Sequence, residues 1–319
     1  MTKRILITGA SGCIGHYIAE IIIQQTDYEL YFLVRNPDKL GFDYTARSGI
    51  FIIQADLRDI EQYSELLPTI NIAILAATSW GGIEEVFEVN VNSTLRLIQS
   101  LNPEVCEQIL YFSTASVLGR DNQMLKEAGE IGTDYVRSKY ECLHQLLSLK
   151  QTLPPLRILF PTFVFGGDTN KPYSHLSSGL PDVIKWLDLI RWLKADGGFH
   201  FIHAEDIAKV VFYFVNHPPT SSETEQIILG NPAISVNETV EEICKFYHKK
   251  IYFRINLSPV LTNIIIKVFK IQMADWDRFC ISYRYFTYQN PINPSVFNVQ
   301  PSYPTLTDIL KQSSNMRSD

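Results

Sequence analysis

The sequence has no Cys-x-x-Cys pair, no basic run, no His, Asp and Glu group at metal-ligand spacing, and no long apolar stretch. Its five cysteines, Cys13, Cys106, Cys142, Cys244 and Cys280, are odd in number and widely separated. That pattern argues against a disulfide framework and a structural zinc site, and suits a reducing compartment. With 28 basic and 34 acidic residues the formal charge is −6, a poor match for nucleic acid. No run approaches the ~18 apolar residues of a membrane span. The greasiest candidate, Ile264 to Ile271, is broken by Lys267 and Lys270. The start is basic, but Ile5-Leu6-Ile7 stops at Thr8-Gly9, too short for a signal peptide. The expectation is a soluble, cytoplasmic protein with no metal, no nucleic-acid partner and no membrane span; a homodimer is the assembly considered. Small anionic ligands stay open, because a helix N-terminus and a few Arg residues hold a phosphate.

What is present is apolar material in a regular rhythm. Of 319 residues, 46% are hydrophobic and 19% charged, enough for a large core in one large domain or two small ones. Short apolar runs at Lys3–Thr8, Glu29–Val34, Ile50–Ala55, Ile72–Ala77, Ile109–Ser113 and Arg157–Pro161 read as strands. Helical patterns intervene, the longest at Glu84–Leu101 and Asp134–Leu149. Continuous apolar strands separated by helices predict an α/β fold, a doubly wound parallel sheet with ligands outside the carboxyl ends of its strands.

After Gly166 the rhythm breaks. Gly167–Pro181 reads as loop, Asp182–Leu193 as an amphipathic helix, and Phe199–His203 as a strand. Asp206 is placed to cap a helix over Ile207–Asn216, and Ile227–Leu229 to rejoin the sheet. Asn237–His248, a strand at Lys250–Ile255, Pro259–Ile271 and a final piece at Thr305–Leu310 follow as a mixed set. The expected division is a dinucleotide-binding domain of residues 1–165 plus about 203–230, and a smaller substrate lobe of 166–202 plus 231–319.

Thr8-Gly9-Ala10-Ser11-Gly12-Cys13-Ile14-Gly15 sits where the first strand meets the first helix. Glycines there allow a tight turn, and the helix N-terminus offers unpaired N–H groups to a pyrophosphate. The second strand ends Phe32-Leu33-Val34-Arg35-Asn36. An acid there would bind a ribose, whereas Arg35 accommodates a 2′-phosphate, so NADP(H) is favoured and NAD(H) stays open. Asp56 follows the third strand, either to meet the adenine or to cap the next helix.

Tyr135 and Lys139 stand four apart on one face of a helix whose N-cap is Thr133 or Asp134. A free phenol has pKa ~10, and an ammonium and an oxidised nicotinamide beside it would stabilise its phenolate. Thr114 leaves the fifth strand with a hydroxyl able to bond a carbonyl or alcohol oxygen.

These pieces resemble the extended short-chain dehydrogenase/reductases, the NAD-dependent epimerase/dehydratase family. The matching residues are Thr8-Gly9-x-x-Gly12-x-x-Gly15, Asp56-Leu57, Ala76-Ala77, Asn90-Val91-Asn92-x-Thr94, Ser113-Thr114 through Gly119, Tyr135-x-x-x-Lys139, Pro161 through Gly166, and His203-Ala204-Glu205-Asp206-Ile207-Ala208. The resemblance implies Tyr135 as acid/base, Lys139 lowering its pKa and binding the nicotinamide ribose, and Thr114 polarising the substrate oxygen. It places Gly9, Ser11, Gly12, Cys13, Ile14 and Gly15 on the cofactor, Asp56 and Leu57 at the adenine, and Ala76 and Ala77 on the ribose side. Asn90 joins the cofactor-binding set, and Pro161, Phe163 and Val164 pack near the nicotinamide.

The departures matter. The family's 4,6-dehydratases carry Asp-Glu after the Thr; here Ala115 and Ser116 stand there, which disfavours water loss. Leu118 replaces a frequent Tyr, and the nucleotide-sugar enzymes' C-terminal Arg-x-x-Asp is absent. Pro161-Thr162-Phe163-Val164-Phe165-Gly166 and Val34-Arg35-Asn36-Pro37 are closer to the family's reductases. The leading expectation is an NAD(P)-dependent oxidoreductase acting on a small, apolar carbonyl/alcohol pair. A nucleotide-sugar epimerase and a non-catalytic NADP(H) sensor are the alternatives. His203 is read as a buried core histidine, Trp186 and Trp192 as core packing, and Tyr283, Tyr285, Phe286 and Tyr288 as a substrate wall or a core edge.

Overall fold

The computed structural model describes residues 2–221, 223–258 and 272–315; the element expected at Pro259–Ile271 lies outside them. Strand β1 (Arg4–Thr8) turns into α1 (Cys13–Gln25), followed by β2 (Glu29–Val34), β3 (Ile50–Gln54) and β4 (Ile72–Leu75). A continuous helical run comprises α2 (Ile83–Phe87), a π-helical stretch over Glu88–Ser93, and α3 (Thr94–Gln99). Then come β5 (Gln108–Phe112), α4 (Lys126–Glu130), α5 (Asp134–Leu149) and β6 (Leu156–Pro161). The second half contains β7 (Phe163–Phe165), α6 (His175–Lys185), α7 (Leu187–Ile190), β8 (Leu193–Lys194), β9 (Gly198–Phe199), β10 (Phe201–His203), α8 (Ala204–Asn216) and β11 (Glu225–Leu229). The remaining described elements are β12 (Ile234–Ser235), α9 (Val236–Phe246), β13 (Ile255–Asn256), α10 (Asp275–Tyr283), β14 (Tyr285–Phe286) and α11 (Leu306–Asn315).

Seven strands form one parallel sheet in the order β11-β6-β5-β4-β1-β2-β3. β4, β5 and β6 are buried along their whole length, because helices cover both faces. Ile18 and Ile22 of α1 and Val211 of α8 pack on one face with Ile7, and Leu97, Leu143 and Leu146 pack on the other with Ile109. The strand order reverses between β1 and β4, and a crevice opens at their carboxyl ends. A third apolar cluster joins Leu180 and Leu187 to Val240, Ile243, Ile309 and Leu310.

Several expectations change in the second half. Gly167–Pro181 is not all loop: Ser174 accepts a hydrogen bond from the Ser177 N–H and starts α6, which runs through Pro181. The amphipathic stretch Asp182–Leu193 is therefore the end of α6 and a separate turn, α7, joined at Trp186. Trp186 is 63% exposed rather than core, and Trp192 is half-buried, stacked on Phe253. Phe199–His203 divides at His200: β9 pairs with β12 and β14, while β10 pairs with β7. Lys250–Ile255 yields only β13, because its partner β8 is two residues long. Asp206 is not the cap of α8. His203 takes that place, and the buried Asp206 carboxylate instead accepts from the Ser302 and Tyr303 N–H groups at 2.7 and 3.0 Å. The helix expected at Ile60–Leu67 forms two 3-10 stretches.

The β1–α1 turn is set by backbone contact. Gly9 has φ +77°, and a Cβ there would stand 2.4 Å from the Ala76 carbonyl carbon. A Cβ on Gly15 would stand 2.1 Å from the Gly9 oxygen, whereas one on Gly12 meets only that oxygen at 3.4 Å. We predict that Gly15→Ala loses about 2–3 kcal/mol or more, as a side chain forced against fixed backbone does. Gly12→Ala should lose less than about 1 kcal/mol. Denaturant melts of both variants check this, and equal losses would contradict it.

Candidate active site

Gly12 is the N-cap of α1 and supplies no side chain; the first turn holds no acid. The free N–H groups and positive dipole end therefore have no partner of their own. They open onto a cavity of about 580 Å³ lined by Gly9, Gly12, Cys13, Ile14 and Gly15. This donor set fits a pyrophosphate. Burial pushes the Cys13 thiol up to about 12, so it contributes packing rather than a thiolate. A second cavity of about 280 Å³ adjoins, lined by Ser11, Arg35, Lys39, Asp56, Leu57, Ala76 and Ala77. Asp56 does two things there: it caps the following 3-10 turn through the Arg58 N–H, and it pairs with the Arg58 guanidinium at 2.9 Å. Both effects hold its carboxyl below the usual range, the Arg58 side-chain bond first. Arg35 is exposed and bonded to Glu85 at 3.3 Å.

α5 begins at Thr133, whose hydroxyl accepts from the Val136 N–H. The helix turns Tyr135, Val136 and Lys139 toward the larger cavity, with Thr114 and Ser116 from the end of β5 opposite. The Thr114 side chain lies close enough to Tyr135 to pull its phenol pKa down against the effect of burial. Thr114 also accepts from the Ser116 N–H at 3.3 Å, which fixes its rotamer. Lys139 is 2% exposed and donates to the Phe112 carbonyl at 2.8 Å, with its ammonium 5.0 Å from the Tyr111 ring centroid. Burial pushes the Lys139 amine down to about 8. The expected lowering of the phenol is absent in the protein alone. Burial raises Tyr135 to about 12 and the neighbouring Thr114 side chain offsets only part of it, while the Lys139 ammonium is bonded to the Phe112 carbonyl.

Pro161, Phe163 and Val164 line the same cavity. Asn90 does not border it. It is fully buried, and its amide holds the loop after β4: Oδ1 accepts from the Ser79 N–H and Thr78 hydroxyl, and Nδ2 donates to the Ser79 carbonyl and Ser138 Oγ. That loop carries a residue the sequence reading passed over. Trp80 stacks on Tyr135 with ring centroids 3.8 Å apart and planes at 15°. Its only sequence signal was its place just past a strand's carboxyl end. Tyr173, Ser174 and His175 at the start of α6 line the cavity as well, hidden because that segment read as loop. Beyond Phe163 and Ser116 a small aromatic recess continues between Phe199, Phe286 and Tyr288. Tyr283 and Tyr285 instead flank Arg120. His203 is buried, which pushes its pKa down to about 4. Trp276 belongs to the main core. Among the described residues no group of three or more His, Cys, Asp or Glu side chains could hold a metal, and no helix is long and apolar enough to cross a membrane.

The lowered Lys139 gives a stability signature. Its amine sits at about 8 in the fold against 10.5 when free, so between those values the unfolded chain holds more protons and stability rises with pH. We predict that wild type gains roughly 3 kcal/mol relative to Lys139→Met as pH climbs through that window. Paired denaturant melts measure it, and a constant difference would mean that the amine is solvated.

No curated protein is significantly similar to the chain. Among solved structures, one described as gox2253 superposes with a TM-score of 0.70 at 19% identity, covering 98% of each chain. The dTDP-glucose 4,6-dehydratase of Bacillus anthracis, solved with NAD, gives 0.66 at 12% identity, covering 100% of this chain and 97% of that one. The Bordetella bronchiseptica enzyme WbmG, solved with NAD, gives 0.66 at 14%, covering 100% and 94%. These likenesses establish the fold. The family profile described as NAD dependent epimerase/dehydratase matches residues 5–230, a span that takes in the glycine turn, Thr114, Tyr135 and Lys139, and the chain is a member of that family.

Proposed function

We propose that the chain is an NADP(H)-preferring oxidoreductase that interconverts a carbonyl and an alcohol on a small, uncharged, largely apolar substrate. The observation that carries this is the lining of the larger cavity. Among the described residues it holds no acidic side chain and no Arg; its one Lys is the buried Lys139, and Trp80, Phe112, Tyr135, Phe163 and Tyr173 give it aromatic walls. A nucleoside diphosphate needs cations for its phosphates; among the described residues this lining offers, beyond the α1 terminus that the cofactor's own pyrophosphate would take, only Lys139, whose ammonium is held by the Phe112 carbonyl. The smaller lobe, residues 166–202 and 231–319, would supply the far wall through Phe199, Phe286 and Tyr288.

When bound, the dinucleotide supplies or accepts the hydride. The protein's residues do the rest. The α1 terminus binds the pyrophosphate. Thr114 orients the substrate oxygen, and Tyr135 gives that oxygen a proton in reduction or takes one in oxidation. With its pKa at about 12, Tyr135 stands as a neutral acid, suited to the reductive direction. Lys139, two-state near neutrality at about 8, can pass a proton onward once a ligand draws it from Phe112. The epimerase reading rests on neighbours such as WbmG, described with both NAD and UDP. It is separated by cofactor consumption, which an epimerase does not show.

Tyr135→Phe should lose about 10²–10⁴-fold in turnover, the usual contribution of a general acid, while still binding NADP. Near-wild-type turnover would end the proposal. Cofactor choice has its own test. Arg35→Ala should cost roughly 10–150-fold in NADP affinity and leave NAD almost untouched, as one charge-assisted bond to a 2′-phosphate implies. Glu85→Gln frees Arg35 from an exposed pair and should tighten NADP by about two- to five-fold. Titrations with both nucleotides decide; equal losses for NAD and NADP in Arg35→Ala would contradict the assignment.

A further inference from the structure

Trp80 is 55% exposed, yet both it and the loop that carries it make specific contacts. Its indole stacks on Tyr135 and meets the His175 ring across the cleft at 4.7 Å between centroids. It lines both the larger cavity and the adenosine-side cavity, so it stands at the partition between them. Its backbone is pinned immediately upstream. The Asn90 amide ties Ser79 to Ser138 of α5, and Ser79 Oγ donates to Glu85 at 2.9 Å. The loop therefore cannot drift relative to the helix that carries Tyr135 and Lys139. A ligand long enough to occupy both cavities must pass the indole, whereas one confined to the adenosine side need not.

We propose that Trp80, closed by His175, is a clamp over the middle and reacting end of the dinucleotide, and that the same indole positions the Tyr135 ring. This rests on the cofactor reading above. The stacked face limits the phenol to one ring plane, with its hydroxyl toward Thr114. Trp80 is thus a positioning residue, acting on the chemistry through Tyr135 and through what it covers.

The test compares two ligands on the intact protein: NADP, which spans both cavities, and 2′,5′-ADP, which fills only the adenosine side. Trp80→Ala should weaken NADP about 10-fold, ~1.4 kcal/mol, and leave 2′,5′-ADP within about twofold. Trp80→Phe keeps an aromatic face and should restore NADP binding to within about threefold. NADP should also quench wild-type indole emission more than it quenches Trp80→Phe, where three tryptophans remain. That readout stands even if Trp80→Ala folds poorly. Unchanged NADP affinity in a folded Trp80→Ala, equal losses for both ligands, or identical quenching in wild type and Trp80→Phe would each overturn the clamp. Failure of wild type to bind either nucleotide would instead defeat the cofactor reading itself.

Discussion

The site depends on how closely the backbone at Gly9 approaches Ala76 and Gly15. No side chain fits at Gly9 or Gly15, so the end of β1, the end of β4 and the start of α1 lie in direct main-chain contact. That contact fixes where the helix begins and aims its uncapped N–H groups into the cleft. The parallel order of β4, β1 and β2 then places Ala76, Ala77, Arg35 and the loop of Trp80 around the same opening.

A second constraint is the buried charge. Lys139 lies under the sheet's carboxyl edge with no carboxylate partner among the described residues, held by a backbone carbonyl and an aromatic ring. Burying an amine without a counter-ion is costly. Burial holds that amine at about 8, within reach of neutral pH, which is the property the proposed proton transfer with Tyr135 draws on. Asn90 has the complementary role: it is uncharged and buried, all its hydrogen bonds are internal, and it couples the loop after β4 to α5.

The first half of the fold was legible because each strand is a continuous apolar run and each helix carries a stripe. β2 and α5 have the bounds read from sequence, and the glycine turn, Thr114, Tyr135 and Lys139 converge as their order implied. The second half was not, for local reasons. Ser174 starts a helix through a side-chain cap in a segment whose Gly, Asn, Pro and Ser content reads as loop. Strands β8, β9, β12, β13 and β14 are two residues each, too short for any alternation to register. Asp206 looks like a cap but spends its carboxylate on Ser302 and Tyr303, nearly a hundred residues on. Trp80 could not be found by periodicity, since it belongs to a loop whose geometry is set by Asn90.

The central claim, net hydride transfer to an apolar carbonyl with Tyr135 as acid, is tested most directly by isotope. NADPH carrying deuterium at both C4 positions of the nicotinamide is incubated with the protein and a panel of apolar ketones in ordinary water, and the products are read by mass spectrometry. The account predicts that one deuterium appears on the former carbonyl carbon and that one NADPH is consumed per alcohol formed. Alcohol without deuterium on the former carbonyl carbon, or product formed without consumption of NADPH, would contradict it.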